Sequence, residues 1–188
     1  TLGACQYQIF DKNYALFVYP GTPTGQQNFL VRDPLFTQWN ALGGITTLGP
    51  AVSNEATVTS SAGTTGVYQS FANGALVRIT SGLYSGRTFA VQQPVWELYS
   101  SYNTYAGVLG FPISDELALP DGRRRQTFEG GSVEYAPGVG ATLRLPVAQI
   151  AVQPSTSPIR MNLGETFTLL ATLYAANGAE LTDRQVNW

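Results

Sequence analysis

The chain has 188 residues, with 10 Lys+Arg against 12 Asp+Glu, a net charge of −2 and no histidine. Charged residues make up 12% of it, about half of the ~25% usual in soluble domains. One lysine, Lys12, leaves no electrostatic footprint for nucleic acid, and the missing histidine excludes Ser-His-Asp and Cys-His catalysis and any His-ligated metal.

The hydrophobic fraction is 44%, enough for a sizeable core, while Ser, Thr, Asn and Gln together number 53 and take the place of charges on the surface. The one cysteine, Cys5, cannot form an internal disulfide. It reads as a small residue near the start of a strand, with an intermolecular bridge as the alternative. No run of about 18 apolar residues exists, so no membrane span is expected. Without a charged n-region and an apolar h-region, any export signal is expected to have been removed. Low Lys with high Thr, Gln, Tyr and Gly fits a secreted or cell-surface protein.

Three segments line up along the chain. Gln8-Ile9-Phe10, Asn13 and Ala15-Leu16-Phe17 are followed by Gln69-Ser70-Phe71, Asn73-Gly74 and Ala75-Leu76-Val77. Gln126-Thr127-Phe128, Gly130-Gly131 and Ser132-Val133-Glu134 form the third. Between them, Phe29-Leu30-Val31 with Pro34 answers Phe89-Ala90-Val91 with Pro94. Leu48-Gly49-Pro50 with Ser53-Asn54-Glu55 answers Leu109-Gly110-Phe111-Pro112 with Ser114-Asp115-Glu116. Self-similarity of this kind predicts repeated units.

Each unit reads as a hairpin plus a short helix. Asn-Gly and Gly-Gly predict primed turns between two strands, because such turns require positive φ. Asp33-Pro34 and Gln93-Pro94 predict helix starts with proline at the first helical position and Asp33 as N-cap. Leu35, Phe36, Trp39 and Leu42 recur at helical spacing, as do Val95, Leu98, Tyr99 and Tyr102. Gly43-Gly44 and Gly107 are expected to close these helices. Helices this short need packing to persist, so neighbouring units must share a core.

Leu109-Gly110-Phe111-Pro112, framed by Gly107-Val108, Ser114-Asp115-Glu116, Asp121-Gly122 and Gln126 to Gly131, resembles the LGFP repeat family. The resemblance covers residues 5–142 as about two and a half repeats. It implies a secreted or cell-envelope protein, as in the repeats appended to mycolyltransferases of mycolic-acid bacteria, where they are thought to anchor proteins to cell-wall polysaccharide. The first repeat departs at Leu48-Gly49-Pro50, which lacks the phenylalanine, and in a Thr/Ser/Gly-rich stretch, 57–66, expected to expand a loop.

Residues 146–188 differ in kind. Val147 to Val152 alternates as a strand, Pro154 to Pro158 is a kinked connection, and Asn162 to Thr166 turns into the strand Phe167 to Leu173. Asn177-Gly178 signals a hairpin, and Val186-Asn187-Trp188 opens another strand. The pattern is similar to bacterial immunoglobulin-like domains of the Big-2 type, with Trp188 as their core tryptophan. Such sandwiches need about seven strands in ~100 residues. A truncated domain and a half-sandwich completed by another chain are therefore both open readings.

The candidate chemistry is sparse. Asp115, Glu116 and Asp121 read as turn-capping carboxylates, since neither a glycosidase pair nor a calcium loop fits their spacing. Arg123-Arg124-Arg125 in strand geometry places Arg123 and Arg125 on one face, enough for a carboxylate or uronic acid. Trp39, Trp96, Phe71, Phe111 and Phe128 read as core. Tyr99, Tyr102 and Tyr105, interleaved with Ser100, Ser101, Asn103 and Thr104, read as a surface able to stack sugar rings, joined by Tyr84 on the 82–86 loop.

The sequence therefore predicts a mainly β protein with short helices (α+β): tandem hairpin-plus-helix repeats sharing a core over 1–145, then an incomplete β-sandwich over 146–188. The expected function is non-catalytic binding of cell-wall or extracellular polysaccharide through Tyr84, Tyr102, Tyr105, Arg123 and Arg125, with no cofactor and no metal. The alternative is a structural surface or filament subunit whose partners are copies of itself.

Overall fold

The computed structural model describes residues 4–22, 25–153, 163, 166, 168–182, 184 and 186. It is mainly β with two short helices, and it divides into two compact units, residues 1–144 and 145–188.

The first unit strings together three antiparallel sheets. The first consists of β1 (Gln6–Phe10), β2 (Tyr14–Thr22) and β3 (Gly25–Arg32) in that order. Helix α1 (Leu35–Ala41) and a 3₁₀ turn (Gly44–Thr46) lead to the second sheet: β4 (Ala56–Thr59), β5 (Thr65–Phe71), β6 (Gly74–Ile79) and β7 (Thr88–Gln92). Helix α2 (Val95–Ser101) and a 3₁₀ turn (Thr104–Ala106) lead to the third. That sheet holds β8 (Leu117–Ala118), β9 (Arg124–Phe128), β10 (Gly131–Ala136) and β11 (Gly140–Arg144).

Several local expectations are corrected. Residues 57–66 do not expand a loop. Their β-branched Thr57, Val58 and Thr59 form β4, paired with β5 through Thr57 opposite Val67 and Thr59 opposite Thr65. The β5–β6 and β9–β10 hairpins are tight, Phe71 facing Gly74 and Phe128 facing Gly131, but their turns are not primed. No residue of Ala72-Asn73 or Glu129-Gly130 has positive φ. Gly74 and Gly130 are needed for close approach instead: a Cβ there would lie 2.3 Å from the Val91 carbonyl oxygen and 2.0 Å from that of Val108.

The helices also begin one residue later than expected. Pro34 and Pro94, each after a cis peptide bond, flank α1 and α2 rather than opening them. Asp33 still satisfies the first turn, its Oδ1 accepting from the Thr37 amide at 3.1 Å and the Thr37 hydroxyl at 2.6 Å. Gly43 closes α1 at φ +95, as expected, whereas α2 is closed by Asn103 at φ +63 and not by Gly107.

Apolar side chains fill the corners between consecutive sheets. The first core joins Ala15, Phe17, Tyr19 and Val31 to Leu35, Phe36 and Trp39 of α1 and to Phe71, Leu76 and Ala90 of the second sheet. The next joins Val91 to Val95 and Tyr99 of α2 and to Leu109, Phe128 and Val133. A third, with Val77, Ile79, Phe89 and Phe111, lies on the same side of the second sheet as Val91. The second sheet is therefore buried on both faces, which is why β6 is apolar from Gly74 to Val77 and again at Ile79, with Arg78 between.

The second unit contains the antiparallel pair β12 (Gln149–Gln153) and β13 (Leu170–Tyr174), with Ile150 opposite Leu173. Asn177-Gly178 makes the expected turn: Gly178 has φ +80, and the Ala175 amide donates to the Ala179 carbonyl at 2.9 Å. The 154–158 connection, most of the 162–166 turn and Trp188 lie outside the described residues. Among the described residues, no helix is long and apolar enough to cross a membrane.

Candidate functional site

The junctions between sheets position the side chains of the candidate site. At the first, the Trp39 indole N–H donates to the Gly49 carbonyl at 3.0 Å. At the second, the Tyr99 hydroxyl donates to the Gly110 carbonyl at 2.9 Å. Gly49 and Gly110 both have positive φ, +77 and +67, which glycine adopts without strain. Burial pushes the Tyr99 phenol well above its ordinary value of 10.0, so it remains a donor across the whole physiological range.

Two buried glutamines close the same corners. Gln69 Nε2 donates to the carbonyls of Leu30 at 2.9 Å and Ser53 at 3.0 Å. Gln126 Nε2 donates to those of Ala90 at 2.7 Å and Ser114 at 3.0 Å. The hydroxyls of Ser53 and Ser114 accept from the amides of Ser70 and Thr127, each at 3.0 Å. Gln69 Oε1 and Gln126 Oε1 are both buried with no hydrogen-bond partner among the described residues.

Between α2 and the third sheet this arrangement leaves a groove of about 440 Å³, lined by Pro94, Glu97, Leu98, Ser101, Tyr135, Gly140 and Ala141. That volume falls within the ~300–1,000 Å³ of small-ligand sites. Val95 and Tyr99 turn into the core, which leaves Glu97 and Ser101 on the outer side of α2. Tyr135 carries the Arg124 guanidinium over its ring at 5.0 Å, an attraction that fixes the ring's place. The wall thus combines an aromatic ring and aliphatic carbons with a carboxylate and a hydroxyl. A smaller hollow of about 240 Å³ lies among Gln38, Leu42, Ala90, Gln92, Asp115 and Glu116. There Glu116 is already paired with Arg124 at 2.7 Å.

The five residues read from sequence do not form one site. Tyr84 and Tyr105 both pack on the Phe89–Phe111 core, Tyr84 edge-on to Phe89 at 6.3 Å and Tyr105 edge-on to Tyr68 at 5.0 Å. Tyr102 is 42% exposed and follows the groove residue Ser101. Tyr99, read as part of the same surface, is fully buried. The expected tyrosine surface does not form because α2 stops at Ser101, and Asn103 and Thr104, both at positive φ, turn the chain so that Tyr105 packs inward.

Arg123 and Arg125 do share a face, but a carboxylate already sits between them. Arg123 Nη1 donates to Glu134 Oε2 at 2.8 Å and Arg125 Nε to Glu134 Oε1 at 2.8 Å, while Arg144 lies 3.7 Å from the same group. Arg123 also binds Asp121, whose carboxyl it holds below its ordinary value by hydrogen bonding. Tyr135 and Glu97 went unread in the sequence. A period-2 signal was available for Tyr135, two residues beyond the core residue Val133 on the same strand.

The family model described as the LGFP repeat matches residues 109–143, from Leu109 through β8, β9 and β10 into β11. A comparison with curated proteins finds no match to the chain.

Proposed function

We propose that this protein is a secreted, non-catalytic module that binds neutral polysaccharide of the cell wall or the extracellular matrix, and that the groove between α2 and the third sheet is where it does so. One observation carries the reading. The matched LGFP segment supplies Tyr135, Gly140 and Ala141 to a groove whose other wall holds Glu97, Leu98 and Ser101. A sugar presents both an apolar C–H face and hydroxyls, so it can stack on a tyrosine while donating to a carboxylate and a serine oxygen. Tyr102, exposed and next to Ser101 in sequence, is taken as the residue that extends that surface along a polymer. The sparse charge of the chain suits a neutral polymer rather than a polyanion.

The same reading takes the first unit as one element used repeatedly: linker, hairpin, third strand and helix. Its support is the recurrence at Gln126 and Tyr99 of the hydrogen bonds made at Gln69 and Trp39. Residues 146–188, with β12 and β13 paired, are read as the opening strands of an immunoglobulin-like domain.

Retention of the protein on insoluble cell-wall polysaccharide tests the proposal. The native chain is expected to be retained and Tyr135→Ala released, with Tyr102→Ala weakened and Tyr84→Ala unchanged in binding. Failure of the native chain to be retained by any envelope polysaccharide overturns the reading. So does equal retention of a folded Tyr135→Ala variant.

A further inference from the structure

We infer that the outer face of the first sheet, with Gln8 at its centre and β1 at its edge, is a docking surface for another hairpin–helix unit of the kind this chain carries; the inference rests on the repeated-unit reading above. The register fixes the correspondence. Gln8 lies opposite Leu16, which pairs with Leu30. Gln69 lies opposite Leu76, which pairs with Ala90. Gln126 lies opposite Val133, which pairs with Leu143.

The glutamines of the second and third sheets each reach back to the sheet before. Gln69 bonds the Leu30 carbonyl and Gln126 the Ala90 carbonyl, and these are the residues paired with Leu16 and Leu76. Each also bonds the carbonyl of a serine in the linker that follows the preceding helix. Both glutamines are fully buried, whereas Gln8 is exposed. Around it, Phe10, Tyr14, Leu16, Val18 and Leu30 are only half-buried, while Leu76, the counterpart of Leu16, is fully buried.

The strand edge shows the same gap. In the second sheet the preceding linker covers β5: the Val52 amide donates to the Ser70 carbonyl at 3.0 Å, the Ala72 amide donates to the Pro50 carbonyl at 2.9 Å, and β4 pairs alongside. In the third, the Ile113 amide donates to the Thr127 carbonyl at 2.9 Å, and β8 pairs with β9. In the first sheet β1 is the edge strand among the described residues. The occupant is thereby specified: a linker that pairs along β1, a serine carbonyl and a strand carbonyl for the Gln8 amide, and an apolar corner for Leu16 and Leu30. This is strand addition to an open edge, with the glutamine fixing register.

A tandem duplication of residues 4–64 within the full chain tests it, because the second Gln8 then follows the Leu48–Thr59 linker as Gln69 does. The duplicated chain is expected to melt higher by roughly 4 °C or more, since a quasi-linear array gains an interface with each added unit. Gln8→Ala is expected to leave the melting of the unduplicated chain unchanged and, at the second Gln8 of the duplicated chain, to lower it as Gln69→Ala does. A duplicated segment that is protease-sensitive and leaves melting unchanged overturns the inference. So does a dimer of the unduplicated chain that Leu16→Glu dissociates, because the linkers of a second copy already pair with its own β5 and β9, and the occupant would then be a different surface from the one inferred. If Gln69→Ala and Gln126→Ala leave the melting temperature unchanged, the repeated-unit reading itself fails, and the two failures are thereby told apart.

Discussion

The second and third sheets share one register yet differ on the face turned away from the preceding sheet. In the second, Tyr68, Val77, Phe89 and Val91 occupy that face and are covered by Tyr105, Phe111, α2 and the linker after it. In the third, the corresponding positions are Arg125, Glu134, Thr142 and Arg144; both arginines pair with Glu134 and stay partly open to water, and the Thr142 hydroxyl donates to the Glu134 carbonyl. The backbone ladder is the same, so strand pairing does not decide what a face carries. What decides it is whether another apolar layer lies on top. A face with no apolar layer over it carries polar groups, and here three arginines around one glutamate supply them.

Exchanging the two faces gives the largest expected effect. Val77→Glu would bury a carboxylate at a position with no exposure, costing about 4 kcal/mol or more and unfolding the first unit in a denaturant melt. Glu134→Val is expected to change stability by only about 1 kcal/mol, because the guanidiniums it leaves behind reach water. A large loss from Glu134→Val, or tolerance of Val77→Glu, would break the contrast.

A smaller effect sharpens the likeness of the two corners. Tyr99→Phe leaves the Gly110 carbonyl without its donor and is expected to cost about 1–2 kcal/mol. Trp39→Phe should lose the equivalent bond to Gly49 and some packing besides, about 2–3 kcal/mol. Chemical denaturation of both variants checks the order; a neutral Tyr99→Phe would mean that the second corner does not depend on that bond.

The smallest effect is a pH dependence at the start of α1. The Thr37 hydroxyl, then the Asn13 amide, hold the Asp33 carboxyl below its ordinary value of 3.8. A folded-state value below the unfolded one means that the stabilisation is complete above 3.8 and is lost as pH falls through the lower folded value. Asp33→Asn should therefore flatten the acid limb of the stability curve by lowering stability slightly at neutral pH, with little change at the acid end. An unchanged acid limb would contradict that assignment.

The strands and helices were legible because their signals are local. Gln-x-Phe followed by glycine marked the hairpins, and the spacing of Leu35, Phe36 and Trp39 marked a helix whose buried face is those residues. The reason for the glycines was not legible: Gly74 and Gly130 answer to carbonyls of Val91 and Val108, far from them in sequence. The tyrosines divided for a similar reason. Tyrosine suits core and surface equally: Tyr99 lies on the buried face of α2, and Tyr102 and Tyr105 are separated by two residues at positive φ that are not glycine. Alternation put Arg123 and Arg125 on one face correctly, but Glu134, which occupies them, comes within reach only through the β9–β10 register. The groove was illegible for the same reason, since its walls are α2 and strands some forty residues later.

The most direct test of the functional account is a titration of the intact protein with soluble cell-wall polysaccharide fragments, followed residue by residue by NMR. The account predicts perturbation concentrated at Glu97, Ser101 and Tyr135, extending to Tyr102, with Tyr84 and the Arg123–Glu134 face unchanged. Perturbation confined to the Arg123–Glu134 face, or saturating polysaccharide with no perturbation at the groove, would contradict it.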